Sequence, residues 1–234
     1  MFAYKPTLKK TALITGATGT LGRHLAHTMT QAGYRVILNY RTQTKAAAAL
    51  ARSLVPAPQL VAADVTDEKA VTKMFKKIGP VDILINTVGN FIYQPLRTTS
   101  NEAFTECIAN NLFSAWYCMQ AAVPAMRQKR FGRIINFGSS GADQITARPF
   151  TAPYYIAKTG LLVLTRSLAK ELTGSGVTVN MISPGILPTS EVKLSGAPVI
   201  SLDDIARAVL FLVDDTNSSL NGVNLEVNAG WRPE

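Results

Sequence analysis

The chain of 234 residues is poor in the residues that staple small secreted proteins. It has two cysteines, Cys107 and Cys118. They are too few and wrongly spaced for a zinc site, and no other metal is expected. Both fall in one predicted helix, which argues against a disulfide and leaves them as plain buried thiols. No apolar run approaches the ~18 residues needed to span a bilayer. The first ten residues, Met-Phe-Ala-Tyr-Lys-Pro-Thr-Leu-Lys-Lys, hold no long apolar stretch of the signal-peptide kind. A cytoplasmic location without membrane contact is the default expectation. Negative charge is also scarce: 15 Asp and Glu against 24 Lys and Arg leave a net charge of +9. That excess fits a lysine-rich soluble surface, or attraction to an anion such as a phosphorylated cofactor or an acidic carrier protein. The basic residues are dispersed apart from Arg127, Lys129, Arg130 and Arg133. They show neither aromatic–basic interleaving nor zinc-finger spacing, so nucleic acid is not an expected partner.

What the chain does have is an alternation of short apolar runs and longer amphipathic stretches. Strands are predicted at 11–15, 35–39, 60–63, 81–85, 133–137, 177–182 and 223–227. Helices are predicted at 21–31, 44–54, 68–78, 101–128, 153–173 and 202–213. Gly33 follows the first helix where a left-handed residue is usual, and Asp67 sits at an N-cap position before the third. Pro124 is expected to kink or end the long helix at 101–128. The strands mostly lack period-two alternation, as expected when both faces of a sheet are covered. Alternating β and α elements of this kind predict an α/β fold. The fold class is a single Rossmann-type doubly wound domain over residues 1–234, with a mostly parallel seven-stranded sheet flanked by helices. The loops at 87–99 and 186–201 are the candidate functional loops.

The first strand runs into Thr15-Gly16-Ala17-Thr18-Gly19-Thr20-Leu21-Gly22, which opens the first helix. Gly16 permits a tight turn, Gly19 lets backbone approach a pyrophosphate, and Gly22 lets the helix pack on the sheet. The helix N-terminus offers free N–H groups and a positive dipole end to the anion. At the end of the second strand, Asn39-Tyr40-Arg41 carries no carboxylate to bind a ribose 2′-hydroxyl. Arg41 can instead meet a 2′-phosphate with a forked contact, which favours NADP(H) over NAD(H). Asp64 follows the third strand and can accept a bond from an adenine amine. Further on, Tyr154 and Lys158 are four apart and leave one face of a helix. A fixed ammonium beside a phenol makes the proton easier to lose. Alone the spacing is commonplace; a serine pair, Ser139 and Ser140, lies shortly upstream.

Taken in order, these motifs resemble the short-chain dehydrogenase/reductase family over essentially the whole chain. The resemblance rests on the glycine turn, Asp64-Val65, Asn86-Thr87-Val88-Gly89, Asn111, Ser139, Tyr154 with Lys158, Pro184-Gly185 followed by Thr189, and the terminal run 222–230. Within the family the chain resembles the 3-oxoacyl-thioester reductases in particular. The resemblance implies NADPH-dependent reduction of a carbonyl to an alcohol. Tyr154 would be the general acid, and Lys158 would hold the ribose hydroxyls and lower the tyrosine pKa. Ser139 would orient the carbonyl oxygen, and Asn111 would hold a water in a proton relay. Gly16, Thr18, Gly19, Thr20, Leu21, Gly22, Asn39, Tyr40, Arg41, Asp64 and Val65 would contact the nucleotide. Asn86 and Gly89 would wall the adenine ribose. Beyond Pro184 and Gly185, Ile186 and Thr189 would touch the carboxamide and phosphates.

The sequence also departs from the family pattern. Thr20 stands where glycine is usual in the turn, and Thr87 replaces an asparagine. Ser139 lies fifteen residues before Tyr154, where thirteen is commoner, which implies a two-residue insertion in 141–151 and keeps Ser140 as a rival. The segment after Thr189 is short where a substrate-covering lid is often found. A small-molecule carbonyl compound is the expected substrate, with an acyl carrier protein or coenzyme A thioester as its carrier. Pteridine, sugar and other small carbonyl compounds stay open, as does a non-catalytic NADP(H)-binding sensor or scaffold. A homodimer or homotetramer through the long helices 101–128 and 153–173 is expected, because their apolar content, Leu161, Leu162 and Leu164 among it, exceeds a sheet-facing stripe.

Overall fold

The structure, a computed structural model, describes residues 10–190 and 196–232. The expectation about the N-terminal leader falls largely on residues outside that range. So does the middle of the shortened loop, 191–195. The strands are β1 (Thr11–Thr15), β2 (Arg35–Tyr40), β3 (Gln59–Ala62), β4 (Ile83–Asn86), β5 (Gly132–Phe137), β6 (Val177–Pro184) and β7 (Asn224–Val227). They form one sheet in the order β3-β2-β1-β4-β5-β6-β7. Every neighbouring pair is parallel, so the sheet is wholly rather than mostly parallel. The helices are α1 (Thr20–Gln31), α2 (Thr44–Arg52), α3 (Glu68–Ile78), α4 (Asn101–Ile108), α5 (Ser114–Lys129), α6 (Ala152–Glu171) and α7 (Leu202–Val213). This is a Rossmann-type doubly wound domain. The strand order reverses between β1 and β4, and ligands of such sheets bind at the strand ends outside that switch point.

The missing period-two pattern has a direct cause in the packing. Ala12 and Ile14 of β1 join one core with Leu25, Met29 and Val209, while Leu13 between them joins the other with Val71, Met119 and Leu161. In β4, Ile83 and Ile85 face the first core and Leu84 the second. Alternation is present in space but hidden in the sequence, because both faces are apolar. Among the described residues no helix is long and apolar enough to cross a membrane.

Local chemistry sets the helix ends. The Asp67 side chain accepts from Lys69 N at 2.9 Å to cap α3, and Ser201 accepts from Asp204 N at 3.1 Å to cap α7. Gly33 adopts φ 88° after α1. The region predicted as one helix over 101–128 is instead α4, a π-helical turn at Ala109–Phe113, and α5. The irregularity is not at Pro124, which lies inside α5. It is at Asn111, whose side-chain Nδ2 donates to the Cys107 carbonyl at 3.0 Å. A side chain thereby occupies a carbonyl that the backbone ladder would use, and the turn widens.

Two sequence-based expectations about surfaces change. Leu161 and Leu162 are core residues, and Leu164 packs against the core. The exposed apolar side chains of this region are Phe113, Ile156 and Val163. The basic cluster also divides. Arg133 is 2% exposed and donates to the carbonyls of Gly132 (2.9 Å), Gly176 (3.2 Å) and Asp215 (3.3 Å). Lys129 pairs with Asp82, which also accepts from Thr11 N at 2.8 Å. These two cations pin strand ends.

Candidate active site

The glycine turn leaves β1 at the switch point. Gly16 has φ 63°, a conformation costly for other residues, and Gly19 N donates to Gly16 O at 3.0 Å to close the turn. A Cβ on Gly22 would lie 2.6 Å from Gly16 O and 2.8 Å from Ala17 Cα, so only glycine lets α1 approach this closely. Gly19 is the N-cap of α1 and makes no side-chain cap, which leaves the helix N-terminus open to an anion. Asn39 is buried and serves the turn itself: its Oδ1 accepts from Gly16 N at 3.3 Å and its backbone carbonyl from Ala17 N at 2.9 Å. Its Nδ2 donates to Ala63 O at 3.1 Å. Asn39 therefore supports the cradle from beneath rather than facing a ligand.

Tyr40 ends β2, and Arg41 follows it at the surface. The Arg41 guanidinium lies 3.6 Å from Asp64 Oδ2, so the two predicted nucleotide contacts pair with each other. Burial works to raise the Asp64 pKa, but bonds from the Thr66 hydroxyl and N–H, aided by Arg41, hold it below the usual range. Val65 is buried in the core beside them.

On the other side of the switch point, Thr87 replaces asparagine without loosening the turn. Its Oγ1 donates to Thr15 O at 2.6 Å and its N–H to Thr15 Oγ1 at 3.2 Å. Asn86 points into the sheet interior, where Nδ2 donates to Asn136 Oδ1 at 2.9 Å. Gly89, by contrast, lines a cavity beside the strand ends. A Cβ there would come within 2.4 Å of Asn111 Oδ1 and 3.5 Å of Lys158 Nζ.

That cavity, of about 530 Å³, brings together Leu21, Gly89, Asn111, Ser139, Tyr154, Lys158, Pro184, Gly185 and Ile186. Asn111 Nδ2 donates to Asn90 O at 2.8 Å and Asn90 Oδ1 at 3.2 Å, while its buried Oδ1 has no partner among the described residues. Lys158 Nζ donates to Phe137 O at 2.7 Å and lies 5.6 Å from the Tyr154 ring centre. Ser139 Oγ donates to Tyr155 Oη at 3.4 Å, and its hydrogen bonding to the neighbouring Tyr154 works to lower that tyrosine's pKa. Ser140 is turned away: its Oγ donates to Trp231 O at 3.0 Å and accepts from Asn228 Nδ2 at 2.9 Å. The adjacent Tyr155 is anchored through its hydroxyl to Ser140 O at 3.0 Å. Of the two serines, Ser139 is the one beside Tyr154.

The electrostatics differ from the expectation that Lys158 lowers the tyrosine pKa. Burial pushes Tyr154 well above the ordinary tyrosine range, and the Ser139 hydrogen bond only partly opposes it. Burial also brings Lys158 down to about 8. Both groups are driven toward their neutral forms, because close packing disfavours either charge. Tyr154 thereby stays protonated beyond the pH at which an ordinary tyrosine ionises.

Thr189 is exposed and does not line the cavity, whereas Ser190 does. The segment 141–151 contributes to the cavity mouth. Ala147, Arg148, Pro149, Phe150 and Thr151 line the cavity mouth, and Gln94 N donates to Phe150 O and Leu96 N to Pro149 O, both at 2.9 Å. Phe91, Tyr93 and Trp231 complete the wall. None of these was singled out from the sequence. Phe91 and Tyr93 in the candidate loop 87–99, and Phe150 within 141–151, were the available signal.

The residues present fit a dinucleotide. The backbone at Gly19 is open, a Cβ there meeting only Gly16 O at 3.4 Å, the α1 N-terminus has no side-chain cap, and Asn111 Oδ1 is an acceptor with no partner among the described residues. Comparison with known proteins agrees. Residues 16–232 match the family model described as enoyl-(acyl carrier protein) reductase. The chain belongs to the short-chain dehydrogenase/reductase family and is an NAD(P)-dependent oxidoreductase resembling 3-oxoacyl-[acyl-carrier-protein] reductases. It is 33% identical to the 3-oxoacyl-[acyl-carrier-protein] reductase FabG of Haemophilus influenzae, over 94% of this chain and 97% of that protein. It is 31% identical to the D-beta-hydroxybutyrate dehydrogenase of Rhizobium meliloti, over 96% of this chain and 99% of that one. A solved structure described as a 3-oxoacyl-reductase from Bacillus thuringiensis superposes with a TM-score of 0.86 at 30% identity, covering 97% of this chain and 99% of that chain.

Proposed function

We propose that the protein reduces a ketone to an alcohol with NADPH, and that the 3-oxo group of an acyl thioester is within its substrate range. The observation that carries this reading is the convergence of Ser139, Tyr154, Lys158 and Asn111 on one cavity beside an uncapped glycine turn. When bound, reduced nicotinamide supplies the hydride, and with it two electrons, to the carbonyl carbon. The Tyr154 hydroxyl gives its proton to the carbonyl oxygen as the C=O π bond becomes C–O–H. Ser139 Oγ donates to the same oxygen and fixes its direction. Lys158 stands beside Tyr154 with its stem buried and holds the nucleotide ribose. Asn111 Oδ1 holds a water through which protons are replenished. The relatives' names, a 3-oxoacyl reductase and a hydroxybutyrate dehydrogenase, support 3-oxo and 3-hydroxy acyl compounds as the chemical neighbourhood.

The NADPH preference rests on Arg41 and on the lack of a carboxylate at the end of β2. Its guanidinium remains 59% exposed despite its contact with Asp64, so a 2′-phosphate can share it. An acyl carrier protein fits the positive surface that Arg127 and Arg130 retain once Lys129 and Arg133 are engaged. Assembly as a dimer or tetramer is supported by the exposed Phe113, Ile156 and Val163. Light scattering at a monomer mass would remove that part.

The test follows absorbance of NADPH and, in parallel, NADH with an acetoacetyl thioester. NADPH is expected to be oxidised faster, and Arg41→Ala to reduce the preference about tenfold, the equivalent of one charged hydrogen bond. NADH oxidised as fast as NADPH would overturn the cofactor preference. Oxidation of neither, with NADPH binding intact, would favour the sensor reading.

A further inference from the structure

The outer wall of the cavity is built from rings. Phe91 and Tyr93 are 6.5 Å apart with planes 24° from parallel. Tyr93 and Phe150 are 5.4 Å apart and 14° from parallel. Phe91 also meets Tyr154 edge-on at 5.0 Å, which connects this ladder to the proton donor. The three outer rings are 40%, 53% and 43% exposed. Apolar side chains this open, clustered at one mouth, mark a binding surface rather than core.

The wall is also held in place. Phe91 and Tyr93 come from the loop after β4, and Phe150 from the loop before α6. The backbone bonds from Gln94 to Phe150 and from Leu96 to Pro149 lock these loops in register. A fixed aromatic wall discriminates by shape: a flat ring gains offset-stacked or edge-to-face contacts with it that a puckered ring of similar area does not. The three rings line the same cavity as Ser139 and Tyr154, so a ring attached near the reacting carbonyl would lie against them.

We propose that the preferred substrate carries a planar aromatic ring within one carbon of its reducible carbonyl, and that Phe91, Tyr93 and Phe150 determine this specificity. The proposal rests on the reductase reading above and uses the same two-electron reduction. It is tested with two N-acetylcysteamine thioesters, 4-phenyl-3-oxobutanoyl and 4-cyclohexyl-3-oxobutanoyl. In both, a methylene insulates the ketone from the ring. The phenyl compound is expected to have the higher kcat/KM with NADPH, by about two- to tenfold. Phe91→Leu and Phe150→Leu are each expected to move that ratio toward one, with NADPH affinity measured alongside to verify folding.

A ratio of one or below in the natural chain overturns the proposal, as does a ratio that both variants leave unchanged. Turnover of an acetoacetyl thioester with no turnover of either ring compound also overturns it and leaves the reductase reading standing. If no carbonyl compound is reduced, the reductase reading fails separately. Calorimetric binding of the two ring compounds then decides the wall's preference, and equal affinities overturn it.

Discussion

The two ends of the cleft are made of different material. The end proposed for the nucleotide is a backbone construction: Gly16, Gly19 and Gly22 shape it, Asn39 braces it from below, and the α1 N-terminus offers free N–H donors. The end proposed for the reaction is a side-chain construction: Asn111, Ser139, Tyr154 and Lys158 come from three separate elements and meet only in the fold. A backbone site depends on what is missing, namely Cβ atoms. A side-chain site depends on what is present and on how closely it is packed. Substitutions should therefore fail differently at the two ends, and each failure mode sharpens or breaks the contrast.

The largest effect is expected at Ser139. Ser139→Ala should lower kcat by about 10²–10³, the usual cost of losing an oxyanion donor, with NADPH affinity little altered. Ser140→Ala should instead lower thermal stability, because Ser140 ties β5 to Asn228 and Trp231. The reverse pattern would exchange the two serines' roles. Gly22→Val comes next. Its Cβ meets backbone atoms that cannot yield, so stability should fall by about 3 kcal/mol in denaturant unfolding, and NADPH binding should fall with it. A variant that binds NADPH normally would show that the cradle is not a close-packed backbone device.

The smallest effect concerns pH. Lys158 has its folded pKa near 8, below the ordinary 10.5, so between these values the unfolded chain binds more protons than the folded one. Stability from this group therefore rises as pH climbs from 8 toward 10, by about 2 kcal/mol. Above pH 10 the raised pKa of Tyr154 acts in the opposite direction, since the unfolded tyrosine then ionises first. Lys158→Met should flatten the rise between pH 8 and 10 in urea unfolding. An unchanged slope would mean that Lys158 is not held in a charge-excluding site.

The same contrast explains what could be read from the sequence. The glycine turn is contiguous, so its eight residues display spacing, context and purpose together. The strand sequence and the Tyr154–Lys158 pair were legible for the same reason, being local. Asn39 and Asn86 turn their side-chain amides into the fold, and strand position does not reveal which way a buried amide points. Pro124 drew attention as a helix breaker, while the irregularity came from the Asn111 side chain competing for a carbonyl four residues back. The aromatic mouth was illegible because Phe91, Tyr93 and Phe150 lie on loops whose register is set by long-range backbone bonds.

The central claim is that Tyr154 supplies the proton in a site that binds NADPH independently of it. Its most direct test is Tyr154→Phe, assayed for thioester reduction and titrated with NADPH in the same buffer. The account predicts a kcat loss of at least about 10²-fold with the NADPH dissociation constant within about threefold of the natural chain. Full turnover in the phenylalanine variant would contradict it.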